Sequence, residues 1–178
     1  MMTYPLKQRT VWSLIILLGG GVWLSLRALE SLEQHFLKSV EQPQTLSEQH
    51  LPISAQFKIR NDVIRLEIAQ TSQQREIGLM ERKTLSPNRG MLFLVSPPRN
   101  VQIWIRGMKL PLDLVFLKGG VIKAIKPQVP PCAAQNCPTY SAGTEVDQVI
   151  ELAPGRATEL GLEVGERLEV SPMPDSTR

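Results

Sequence analysis

The chain has 178 residues, 42% of them hydrophobic and 21% charged, a balance that suits one folded domain plus an appendage and excludes a disordered or collagen-like protein. Two cysteines are too few for a disulfide-built scaffold, and a net charge of +3 with a pI near 9.0 is too mild for a nucleic-acid-binding face. Both histidines, His35 and His50, precede the segment that reads as the domain, which removes most histidine chemistry from it.

Of fourteen prolines only Pro5 precedes Pro43, so nothing interrupts a helix between Thr10 and Glu41. Within it, Val11 to Leu26 (VWSLIILLGGGVWLSL) carries no charge, with Lys7 and Arg9 before it and Arg27 after it. At 1.5 Å per residue this stretch rises about 24 Å against a hydrocarbon core of about 30 Å, so a spanning helix must recruit its flanks and let Arg9 and Arg27 snorkel. A cleaved signal peptide, which would leave an exported soluble protein, is the competing possibility. It needs small residues at both recognition positions, and residues 22–31 (VWLSLRALES) offer no such pair. The expectation is therefore an uncleaved transmembrane signal anchor over 11–27. Lys7 and Arg9 place residues 1–10 in the cytoplasm and everything beyond the anchor on the far side, in the periplasm or an equivalent lumen.

In residues 28–41, Leu29, Leu32, Phe36, Leu37 and Val40 recur at spacings of three and four, the stripe of an amphipathic helix. This helical stalk has fewer than two heptads, too few for a dimerising coiled coil, and is expected to rest on lipid or on the domain. Residues 42–54 (QPQTLSEQHLPIS) form a polar linker, and 173–178 a tail.

Between residues 55 and 172 short runs of Val, Ile, Leu and Phe are broken by Gly and Pro, the pattern of a β-rich fold. Strands are expected near 56–60, 63–69, 91–95, 101–105, 112–117, 121–126, 145–152 and 166–171. Gly119 and Gly120 mark a hairpin between LDLVFL and VIKAIK. Thr71 with Gln74 three residues on makes a capping box for a short helix stopping near Gly78, and a second helix is expected over about 155–161. The fold class is mainly β (β-rich α+β): a curled sheet or barrel-like domain of about eight short strands with two short helices, preceded by the transmembrane helix.

Cys132 and Cys137 stand in PPCAAQNCPTY, in the longest stretch without a strand pattern. Outside the cytoplasm they are expected to form a disulfide worth about 2 kcal/mol; four intervening residues are too many for the usual redox dithiol, and the domain lacks further Cys or His ligands for zinc. Asp113 lies in a strand that is apolar on both faces, so its carboxylate needs a partner, for which Arg75, Arg82 and Arg106 are the candidates. These four residues are the catalytic candidates. Trp104, Arg106, Asp113 and Tyr140 are the candidate binding residues, with Trp104 either lining a pocket or buried in the core. Residues 75–126 carry ten Lys and Arg against three acids, and 127–172 carry two against seven. We expect the two halves to lie side by side and neutralise each other rather than to form a basic groove.

QREIGLMER (74–82), GMLFLV (90–95), IWIRGMKLPLDLVFL (103–117), VIELAPG (149–155) and VGERLEV (164–170) together resemble, in order and spacing, the DUF192 (UPF0127) family of domains of unknown function over nearly all of 57–171. The matching positions are Arg75, Gly78, Leu79, Met80, Arg82, Gly90, Met91, Phe93, Trp104, Pro111, Asp113 and Phe116. The chain departs from the family pattern at Gln74, where Glu is usual, and at Ile105, Arg106, Gly107 and Met108, where Met-Lys-Asn-Thr is usual. The resemblance implies a compact β-barrel-like domain with short helices, often behind an export or anchor segment, and brings no established reaction.

Two functions remain. The first is a membrane-tethered extracytoplasmic binding or assembly module of the cell envelope, with a small molecule or a protein as ligand, no cofactor and no metal. It accords with a domain that shows no G-x-S-x-G and no metal-ligand cluster. The alternative is a small envelope hydrolase or transferase acting through an Asp–Arg site on an anionic or sugar-like substrate. A concave, solvent-open pocket holding Asp113 and arginines would favour the second, and a sealed surround the first.

Overall fold

The computed structural model describes residues 48–173 other than Gln135. The expected cytoplasmic tail, anchor and stalk lie outside the described residues, and among the described residues no helix is long and apolar enough to cross a membrane. Eleven short elements follow in order: β1 (Ile53–Ile59), β2 (Asp62–Ala69), α1 (Ser72–Ile77), β3 (Arg89–Arg99), β4 (Ile103–Trp104), β5 (Leu112–Lys118), β6 (Val121–Val129), β7 (Thr139–Tyr140), β8 (Val146–Leu152), α2 (Arg156–Glu159) and β9 (Val170–Pro172).

Seven strands form one mixed sheet in the order β6-β5-β8-β3-β2-β1-β9, and β4 and β7 pair separately as a small ribbon. Neighbours are antiparallel except β2 and β3, which run parallel. A parallel pair needs a crossover, and residues 70–88 supply it with α1. That helix forms where expected: Thr71 Oγ1 accepts from the Gln74 amide, and the Gln74 side chain accepts in return from the amide of Thr71. The β5–β6 hairpin turns on Gly119 and Gly120, whose φ angles of +57° and +75° are those of a primed turn.

The sheet is not closed, which corrects the barrel-like expectation to an open mixed sheet with covered edges. Residues 165–168 bond to the end of β6, through Gly165 N to Ile122 O (2.9 Å) and Leu168 N to Gly120 O (2.8 Å). The same segment continues into β9, which pairs with β1 at the other edge. One terminal stretch thus blunts both edges, but only Val121 and Arg167 make a bridge at the β6 side, so no continuous ladder joins them.

Strand alternation divides the interior in two. Ile64, Leu66, Leu92, Val115, Leu117, Ile150 and Leu152 pack on one face with Ala157 and Leu160 of the α2 region, while Met91, Leu112, Leu114, Phe116 and Val149 pack on the other beneath the α1 crossover and the β4–β7 ribbon. We call these the α2 face and the ribbon face. At the start of β3, Gly90 permits close approach: a Cβ there would lie 2.6 Å from the Glu151 carbonyl oxygen and 2.9 Å from a Leu152 methyl. Residues 48–52, read from sequence as the end of a linker, are bound to the domain. Gln49 donates to the carbonyls of Gln74 and Gly78 (both 2.8 Å), and the Leu51 amide donates to Glu67.

Candidate functional site

The sheet positions three buried carboxylates, and its alternation decides what each can reach. Asp113 stands in register with Leu152, Gly90 and Leu66, and therefore on the α2 face. It is fully buried and accepts three backbone hydrogen bonds, from Gln128 N (2.8 Å), Gly155 N (2.9 Å) and Ala157 N (2.7 Å). Gly155 is the N-cap of α2 and has no side chain to cap with, so Asp113 performs that task from a neighbouring strand. The expected pairing with Arg75, Arg82 or Arg106 is not found. Amide donors satisfy the carboxylate instead, and the aspartate is a sealed structural anchor.

Glu67, Met91, Glu151 and Leu114 form the neighbouring row and share the ribbon face. Arg82, also buried, makes a two-pronged ion pair with Glu67 (2.8 and 2.6 Å) and donates further to the carbonyl of Gln49. Burial raises the pKa of Glu67, but hydrogen bonds from Arg82 and from the Leu51 amide outweigh it and hold the carboxyl below its ordinary value. Arg82 is thus the partner of Glu67.

Glu151 has no such partner. It is 4% exposed, and its Oε2 is buried without a hydrogen bond. Burial pushes its pKa up to about 8, against a smaller opposing pull from the Arg82 charge, so at neutral pH it is a carboxylic acid with a proton to donate. Its strand, VDQVIEL, also carries Asp147 and Gln148, so the only sequence signal for Glu151 is the apolar company of Val149, Ile150 and Leu152 around it.

Glu151 lines a cleft of about 260 Å³ on the ribbon face. Its walls come from α1 (Arg75, Ile77), β3 (Phe93, Arg99), the β4 ribbon (Trp104) and β8 (Val149, Glu151), with Met80 and Met108 between them. Trp104 is 57% exposed and lines this cleft, so of the two sequence expectations for it the core placement is not the one adopted. Arg75 reaches the wall with one guanidinium nitrogen on the Gln70 carbonyl (2.6 Å) and another on Ser72 (3.2 Å). Of the other sequence candidates, Arg106 is exposed and bridges to Cys132, and Tyr140 is half-buried opposite Ile103; neither lines the cleft. Among the described residues no cluster of three or more His, Cys, Asp or Glu could hold a metal.

The expected disulfide between Cys132 and Cys137 is present, with Cα atoms 5.7 Å apart. Its position ties it to the cleft. Cys132 bonds to Ile105 O (3.0 Å) and accepts from Gly107 N, and two residues past Cys137 the chain becomes β7, paired with Ile103 and Trp104. Both arms of the disulfide loop therefore hold the strap that carries Trp104.

The DUF192 family model, described as uncharacterized ACR, matches residues 55–170. The chain belongs to the DUF192 family. Among solved structures, the DUF192 domain is similar to a candidate transcription regulator from Sinorhizobium meliloti 1021, at 30% identity over 70% of this chain and 98% of that one, with a TM-score of 0.61. It is also similar to a protein of unknown function from Novosphingobium aromaticivorans DSM 12444, at 28% identity over 72% and 89% of the two chains, with a TM-score of 0.59. No curated protein matches.

Proposed function

We propose that this DUF192 protein is a membrane-tethered extracytoplasmic binding module of the cell envelope, taking a small ligand in the cleft beneath Trp104. The separation of the two strand carboxylates carries the proposal. Asp113, which an Asp–Arg enzyme would need, is enclosed by three amides on the α2 face, whereas the accessible cleft on the ribbon face is walled largely by apolar side chains and an exposed tryptophan. An aromatic rim, an apolar body and a few convergent polar groups are the anatomy of a ligand pocket. Support for the location comes from the charge-free stretch 11–26 with its leading Lys7 and Arg9, and from a disulfide, which persists in oxidising compartments.

Native mass spectrometry of the full-length protein, gently extracted from its own membranes, tests the binding role. A small molecule should co-purify with wild type and be lost with Trp104→Ala, an exposed position whose truncation leaves the core intact. Equal retention by both, or chemical conversion of the bound molecule by the protein, would overturn the proposal.

A further inference from the structure

The cleft contains one group that nothing in the fold explains. Glu151 is placed on the ribbon face by strand alternation, is nine-tenths buried, and its Oε2 has no partner. A buried, unsatisfied polar atom costs about 1–3 kcal/mol, and one beside an open cleft is satisfied when a ligand supplies the missing partner. Resting on the binding role above, we infer that the cleft receives a small amphipathic monoanion: its negative charge lies at Arg75 and Arg99, its apolar body on Phe93 and Trp104, and an uncharged carbonyl-type oxygen accepts the proton of Glu151.

The surrounding charges decide between an anion and a cation. Arg75 and Glu76 of α1 and Arg99 at the end of β3 stand at the cleft, leaving one positive charge in excess while Glu151 is neutral. Glu67 and Arg82, on the far side of Met91, are spent on each other. The neighbours of Glu151 in its row, Met91 and Leu114, bring no charge, and neither does Trp104 of the ribbon. An amine entering this site would find two guanidinium groups against the single carboxylate of Glu76, and a Glu151 that is not ionised. An acceptor oxygen meets a donor already in place. Because an ionised Glu151 has no proton to give, binding is coupled to pH: with its pKa near 8, the competent fraction of the protein falls about tenfold between pH 7 and pH 9.

N-acetyl-L-phenylalanine is a suitable probe, with one carboxylate, one amide carbonyl and an apolar ring, and it is compared with its uncharged C-terminal amide and with phenethylamine. Calorimetric titration of the full-length protein in detergent should show the acid binding most tightly and losing about tenfold in affinity from pH 7 to pH 9. Glu151→Gln keeps a donor and should bind the acid with no such pH dependence. Arg75→Gln with Arg99→Gln should weaken the acid several-fold and leave the amide unchanged. Tighter binding of phenethylamine, affinity that rises with pH, or an unchanged pH profile in Glu151→Gln would each overturn the inference while leaving a binding cleft in place. If none of the three probes binds, this ligand class falls, and the binding role stands or falls on the co-purified molecule.

Discussion

A carboxylic acid that keeps its proton in the native state but loses it on unfolding makes a protein less stable as pH rises. Glu151 is such a group, with a native pKa near 8 against an ordinary 4.5. Below pH 4.5 both states are protonated and its contribution is intact. Between 4.5 and 8 only the unfolded chain releases the proton, and stability falls by about 1.4 kcal/mol per pH unit; above 8 the loss is complete. Glu151→Gln should therefore flatten the thermal melting profile over this window and melt higher than wild type at pH 9, measured by intrinsic fluorescence of the full-length protein. Glu67 has the opposite sign. Its pKa is held down, so its contribution is present above its ordinary value and lost as pH falls through the native one, a window that lies below that of Glu151. Its stability rests on Arg82: Arg82→Met leaves a buried, unpaired carboxylate and should cost about 3–5 kcal/mol in denaturant unfolding, whereas Glu67→Leu with Arg82→Met together should cost much less.

At the scale of elements, α2 is too short to hold itself. It spans Arg156–Glu159, begins at a glycine with no capping side chain, and depends on a carboxylate from β5 for its first amides. Asp113→Asn offers one acceptor oxygen and turns an NH2 group toward a backbone N–H, so it should destabilise the protein by about 2–3 kcal/mol. Because Asp113 and the cleft lie on opposite faces, probe binding by the folded fraction should not change; calorimetry alongside unfolding separates the two effects. The same elements show what sequence can and cannot carry. Most strand positions, both helices and the Gly119–Gly120 turn are readable because alternation, caps and turn residues are local signals, whereas the strands expected over 101–105 and 166–171 shrink to Ile103–Trp104 and Val170–Pro172. β7, at Thr139–Tyr140, is two residues long and has no alternation to detect. The parallel pairing of β2 with β3 is decided by which neighbours share a sheet, and no local pattern encodes that. The sequence of β5 shows that Asp113 needs a partner, but its partners are backbone amides, and an amide has no signature in a sequence of side chains. The Glu67–Arg82 pair joins a residue of β2 to one in the loop of the crossover, and a loop position has no periodicity from which its partner could be read.

For the whole molecule, the disulfide links compartment to site. By loop-closure arithmetic its five-residue separation is worth about 2 kcal/mol, a modest share of a domain's stability, so the DUF192 fold should survive its removal. What removal releases is local, since both arms of the loop brace the strap bearing Trp104. Cys132→Ser with Cys137→Ser should therefore lower the melting temperature by a few degrees and weaken capture at the cleft by a larger factor than stability alone dictates. The compartment is open to an independent measurement. If residues 11–27 anchor the chain with the domain outside the cytoplasm, a membrane-impermeant thiol reagent applied to intact cells should leave Cys132 and Cys137 unlabelled until an impermeant reductant is added, and should label them afterwards. Protease added after any outer membrane has been opened, with the inner membrane intact, should then reach the domain, and the chain should remain with the membrane after a carbonate wash. Labelling that needs lysis but no reductant would place the domain in the cytosol with free thiols, and the envelope role would fall with it.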